Sequence, residues 1–242
     1  MDSLVIATIS VARSAVAALI KQLRVARAIA RVRDGADELT AEAKGAGISL
    51  SKFVSTVLQE ARLGTLLMDL LTPQEEALDQ FTGQYRYDIP LLANRLVSAA
   101  EWLAQIPQTL TLGIGYFGAS TGAAAALLAT ARHPEGVQAI VSRGGRPDLA
   151  GPALAQVDVP TLLIVGGNDL PVIAMSCEAL AQLPGEKKLV IIPGATHLFE
   201  EPGALEEVAR LACQWFQHSL RPLDQPGSIR FQEAPPPMPG PP

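Results

Sequence analysis

From residue 63 to residue 216 the chain alternates short apolar runs, each closed by turn residues, with longer stretches whose apolar side chains recur at helical spacing. Parallel strands joined by crossover helices leave this imprint. A strand buried on both faces reads as a continuous apolar run, while the helix that covers it buries only one stripe. Strands are predicted over 63–70, 110–117, 137–141, 161–165 and 188–192, and helices over 90–105, 121–131, 175–183 and 204–218. Thr72-Pro73-Gln74-Glu75-Glu76 reads as a charged turn. Because βαβ crossovers are right-handed, the expected fold class is α/β, a doubly wound, mostly parallel sheet with helices on both faces.

Composition narrows the classes further. With 242 residues, 48% of them hydrophobic and 18% charged, the chain can bury a core without staples and is not disordered. The longest apolar candidate, residues 4–20, is interrupted by Arg13, Thr8, Ser10 and Ser14, so it does not read as a membrane span. Cys177 and Cys213 are too few for a disulfide framework, and Met1-Asp2-Ser3 lacks the cationic start of a secretory signal. A cytoplasmic location is expected. The net charge of −5 conceals an asymmetry: residues 1–33 carry six basic side chains and one acid, the remainder 13 basic and 23 acidic. No nucleic-acid partner is expected. Residues 222–242 hold eight of the 19 prolines and read as a disordered tail, because so many residues there lack an amide hydrogen.

Gly118-Ala119-Ser120-Thr121-Gly122 fits G-x-S-x-G, a weak signal alone. Its position strengthens it. It joins the apolar run 110–117 to an alanine-rich helix, which is the strand, sharp turn and helix that hold a nucleophile elbow. The Thr121 amide would open that helix and could stabilise an oxyanion. A serine hydroxyl needs a base, and three histidines are available. His133 and His218 fall at helix ends, where a capping role suffices. His197 instead follows the run 188–192 and the turn Pro193-Gly194-Ala195-Thr196, at the carboxyl end of a strand, where open α/β sheets gather their sites. Asp169 leaves the preceding strand through Gly166-Gly167-Asn168. Alone it reads equally as a turn-forming residue; with Ser120 and His197 it completes a nucleophile, base and acid in the chain order of α/β-hydrolases.

These residues carry a resemblance. Through LLMDLLTPQEE, IGYFGASTGAAAAL, SRGGRPDLAGPAL, PTLLIVGGNDLPV and PGATHLFEEPGALEEVA, residues 58–219 resemble the dienelactone hydrolase family of α/β-hydrolases, particularly bacterial members also found fused to phosphoribosyltransferase domains. The resemblance implies an α/β-hydrolase fold and a triad at Ser120, Asp169 and His197. The namesake enzymes use cysteine as nucleophile and cleave a cyclic enol lactone; this chain has serine.

The expected organisation is an atypical N-terminal helical segment over 1–57, an α/β-hydrolase core over 58–219 and the proline-rich tail over 220–242. Relatives open with a strand ending in a His-Gly-Ser-Gly-type loop that supplies a second oxyanion donor. The nearest match here is Ala43-Lys44-Gly45-Ala46-Gly47-Ile48-Ser49, with Lys44 in place of the histidine, and residues 34–42 make a poor buried strand. Residues 4–9 are a substitute strand candidate. Arg13, Arg24, Arg27 and Arg31 fall within about 60° on a helical wheel, so residues 12–33 read as a basic amphipathic helix: a divergent cap, an altered N-terminus, or a surface for membrane or acidic partners.

Two further positions are candidates. Arg143 follows the run 137–141 into the same edge as Ser120 and could bind a substrate carboxylate, or pair with Asp148 or another acid nearby. Asp69 ends the run 63–70 and reads as structural. The expected function is a serine hydrolase acting on a small ester, thioester or lactone, with no metal or organic cofactor. The alternative is a related binding protein with an incomplete oxyanion site. The sequence is silent on oligomeric state.

Overall fold

The computed structural model describes residues 3–9, 46–107 and 109–223. Among these residues six strands form one sheet: β1 (Ser3–Ile9), β2 (Gly64–Asp69), β3 (Gly113–Ala119), β4 (Val137–Arg143), β5 (Thr161–Gly166) and β6 (Lys187–Ile192). Their order is β2-β1-β3-β4-β5-β6 and every neighbouring pair is parallel. The substitute strand at the N-terminus therefore takes an interior position, with Leu4 opposite Gly64 on one side and Ile114 on the other. The connection through residues 12–33 lies outside the described residues.

Among the described residues six helices cover the sheet: α1 (Ala46–Glu60), α2 (Pro73–Thr82), α3 (Ile89–Leu103), α4 (Thr121–Arg132), α5 (Leu170–Gln182) and α6 (Ala204–Ser219). The strands β3, β4 and β5 are buried on both sides, and their side chains feed two cores. Ile140 packs with Leu96 of α3 and Leu127 of α4, whereas its neighbours Ala139 and Val141 pack with Leu58 of α1 and Phe216 of α6. This is the two-sided burial that parallel sheets require.

Three local features go beyond the sequence reading. The charged segment at residues 72–76 opens α2: the Thr72 hydroxyl accepts the Glu75 N–H at 3.1 Å while the Glu75 carboxylate accepts the Thr72 N–H at 2.8 Å. That reciprocal capping box, with Pro73 in the first turn, starts a helix. A 3-10 segment, Pro147–Gln156, follows β4, broken at Gly151. Finally, residues 220–223 stay against the fold, with Leu220 buried and the Leu223 N–H donating to the Thr111 carbonyl at 2.8 Å. The rest of the proline-rich segment lies outside the described residues.

Candidate active site

Ser120 stands between β3 and α4 with φ 50° and ψ −124°, a backbone conformation that residues with a side chain rarely adopt. Holding it costs about 1–3 kcal/mol, which the surroundings must impose. The Ser120 carbonyl accepts the N–H groups of Ala123 at 3.2 Å and Arg146 at 3.0 Å, and its own N–H donates to the Arg143 carbonyl at 3.4 Å. Gly118 is needed because a Cβ there would lie 2.6 Å from the Ala123 Cα, so no side chain fits between β3 and the first turn of α4. Thr121 begins α4 and is buried, at the positive end of the helix.

Asp169 occupies the N-cap position of α5 but makes no side-chain cap bond. Its carboxylate serves His197 instead: Nδ1 of His197 lies 2.7 Å from Asp169 Oδ2. An ionised carboxylate only accepts, so Nδ1 is the donor and Nε2 of the neutral ring is left with a lone pair. The His197 side chain is 44% exposed and that of Asp169 13%. A Cβ at Gly144 would lie 3.2 Å from the His197 carbonyl oxygen and 3.5 Å from its Cε1. The segment 143–146 thus touches Ser120 through its backbone and His197 through Gly144, bringing both to one end of β4.

Arg143 is 9% exposed, and its guanidinium carbon stands 5.7 Å from the centre of the Phe199 ring. Burial pushes its pKa down to about 10. Asp148 is not its partner, because that carboxylate is taken bidentately by Arg146, at 2.8 Å and 2.7 Å. Among the described residues no carboxylate pairs with Arg143. The face of the Phe199 ring is thus the neighbour that the described residues show for this buried cation.

Asp69 ends β2 opposite Ile9 of β1, and burial, with the charge of Glu76 second, raises its carboxyl to about 6. His133 caps the far end of α4 and His218 lies in the last turn of α6. Of the segment matched to a His-Gly loop, Lys44 lies outside the described residues and residues 46–49 belong to helix α1. Sequence reasoning did not single out Asn168 and Glu201, which hold the histidine loop. Asn168 Nδ2 donates to the Gly194 carbonyl at 2.8 Å and the Glu201 carboxylate accepts the Thr196 N–H at 3.0 Å. Among the described residues there is no group of three or more metal-ligating side chains, and no helix is long and apolar enough to cross a membrane.

A parallel six-stranded sheet covered on both faces, with a strained serine on a strand-to-helix turn and a histidine–carboxylate pair on the next loops of the same edge, defines an α/β-hydrolase fold. Comparison with solved structures agrees. The chain is 50% identical to a dienelactone hydrolase from Anabaena variabilis, with a TM-score of 0.71 over 91% of this chain and 88% of that one. It therefore belongs to the dienelactone hydrolase family. Est1E from Butyrivibrio proteoclasticus, 14% identical with a TM-score of 0.57 over 89% of each chain, shares the fold. A Mycobacterium tuberculosis protein named as a phosphoribosyl transferase is 55% identical over 166 residues, 69% of this chain. The chain spans 37% of the length of that relative. No family model matches the chain.

Proposed function

We propose that this chain is a serine hydrolase that cleaves a small carboxylic ester, thioester or lactone through an acyl-enzyme. The observation that carries the reading is the 2.7 Å contact between His197 Nδ1 and Asp169 Oδ2, on the same sheet edge as the strained Ser120. Asp169 fixes the tautomer in which Nε2 can accept a proton. Ser120 Oγ attacks the acyl carbonyl and its proton passes to His197 Nε2. The oxyanion of the tetrahedral intermediate is stabilised by the Thr121 N–H at the start of α4. Collapse expels the leaving group, which takes the proton from His197, and leaves the acyl group on Ser120. Water, deprotonated by His197, then reverses these steps and releases the acid. Nothing in this sequence of steps calls for a metal or an organic cofactor.

In the same reading Arg143 holds a negatively charged group of the substrate, since its buried guanidinium has no carboxylate among the described residues. Serine in place of the namesake cysteine makes a general base indispensable, because a hydroxyl is far less acidic than a thiol. Cys177 and Cys213 are both free thiols, which suits the reducing, cytoplasmic location that belongs to this proposal.

The second reading, a related binding protein, draws on the helical conformation of residues 46–49, which matched the second oxyanion loop. Loss of one oxyanion donor slows acyl transfer about 100- to 1000-fold without abolishing it. A fluorophosphonate probe separates the two readings. We expect wild type to be labelled and to cleave a short p-nitrophenyl ester, and Ser120→Ala to lose both. Equal labelling of the two proteins rejects Ser120 as nucleophile.

A further inference from the structure

His197 and Asp169 meet across two loops that leave adjacent strands, β6 and β5, and the His197 side chain is 44% exposed. Three hydrogen bonds join the end of β6 and the loop after it to the loop after β5, besides the histidine–carboxylate contact. The Gly167 N–H donates to the Ile192 carbonyl at 2.8 Å, the Asn168 N–H to the Ala195 carbonyl at 2.9 Å, and the Asn168 side-chain amide to the Gly194 carbonyl at 2.8 Å. Asn168 supplies two of the three. Apart from the His197–Asp169 pair, its side chain makes the one side-chain hydrogen bond that crosses between these loops among the described residues.

Beyond the crossing, the histidine loop is secured within itself. The Thr196 N–H donates to the Glu201 carboxylate, the Phe199 N–H donates to the Thr196 carbonyl at 3.3 Å, and the buried Phe199 ring plugs the core with its backbone at φ 58°. Residues 196–201 are thus tied to one another, and the hydrogen bonds at residues 194–195 join them to the loop that carries Asp169. Asn168 adjoins Asp169 in sequence, so one residue fixes the acid-bearing turn and the approach of the base together.

We propose that Asn168 is a positioning residue of the triad, pinning the histidine loop at the height where His197 Nδ1 meets Asp169. This rests on the hydrolytic reading above. Removing the amide leaves the exposed Gly194 carbonyl to water, a small change for the fold. For the ring it is a large one, because a misplacement of about 1 Å at a reacting group can slow a reaction about 100-fold.

The test uses Asn168→Ala and Asn168→Asp, whose ionised carboxylate cannot donate to the Gly194 carbonyl. Ester turnover, thermal melting and the low-field proton resonance of His197 Nδ1–H are read in each, with Asp169→Asn as the reference in which the histidine–carboxylate bond is gone. For both Asn168 variants we expect kcat to fall about 10- to 100-fold with KM changed by less than about two-fold. The melting temperature stays within a few degrees of wild type, and the resonance broadens or disappears. Wild-type kcat and an unchanged resonance in Asn168→Ala overturn the proposal. So does a fall in kcat with the resonance intact, since the loss would then bypass the ring. If the wild type cleaves no ester, the hydrolytic reading fails by itself, and the resonance still decides whether Asn168 positions His197.

Discussion

The backbone N–H of Arg146 donates to the carbonyl oxygen of Ser120 at 3.0 Å, tying the strained serine to the loop that leaves β4. Two residues earlier in that loop, Gly144 lies against the His197 carbonyl and ring. One four-residue segment therefore supports Ser120 on one side and His197 on the other, and its glycines are what let it run so close to both.

Gly145 is the most confined point of this segment. A Cβ there would overlap the Ser142 hydroxyl and lie 2.5 Å from the Ala123 Cβ on α4. Gly145→Ala should lower stability by about 1–3 kcal/mol through overpacking. For a chain of this size each kcal/mol corresponds to about 2–4 °C in melting temperature. A thermal melt unchanged from wild type would show that α4 yields freely at this contact.

Under the proposed mechanism, Asp169→Asn keeps the side-chain shape and removes the charge that stabilises the imidazolium. It also permits the wrong ring tautomer. With a short p-nitrophenyl ester kcat should drop by up to about 10⁴-fold while KM changes little. A loss below about ten-fold would assign Asp169 to its turn and not to the proton transfer.

Arg143→Met separates recognition from folding. The guanidinium is buried without a carboxylate among the described residues, so replacing it by an apolar side chain of similar length should leave the melting temperature unchanged or raise it. In the same variant KM should rise about ten-fold or more for an ester carrying a carboxylate and stay constant for a neutral ester. Equal effects on both esters would remove Arg143 from substrate recognition.

Asp69 predicts a pH dependence of stability. Its carboxyl rises from 3.8 to about 6, mainly by burial, so the folded state holds a proton that the unfolded state has already lost. The stabilising effect of this group is fully present below about pH 4 and is lost as pH rises through about 6. Asp69→Asn should therefore be more stable than wild type above pH 6, with the difference vanishing near pH 4. Denaturant melts at pH 4 and pH 7.5 check this, and a pH-independent difference between the two proteins would contradict it.

Much of this arrangement was legible along the chain. The apolar runs at 137–141 and 161–165 became β4 and β5 because a strand buried on both faces admits few polar residues, and that constraint is local. Ser120, Asp169 and His197 could be chosen because each follows such a run through a turn, which puts all three at one edge once the strands are parallel. The helix start at Thr72 was missed although the Thr72–Glu75 spacing announces it, because the charged residues there suit a turn equally well.

The sequence by itself determined the alternation of strand and helix, the chain order of Ser120, Asp169 and His197, and the serine in its strand-to-helix turn. Those features depend on residues close along the chain. Only the tertiary structure decided that Ser3–Ile9 enters the sheet between β2 and β3, that Asp148 pairs with Arg146 while Arg143 has no carboxylate among the described residues, and that Asn168 joins the Asp169 loop to the His197 loop. Each of these is a choice among several chemically acceptable partners. It is made by which strands lie side by side and how far their loops reach, quantities that hydrophobic periodicity does not encode.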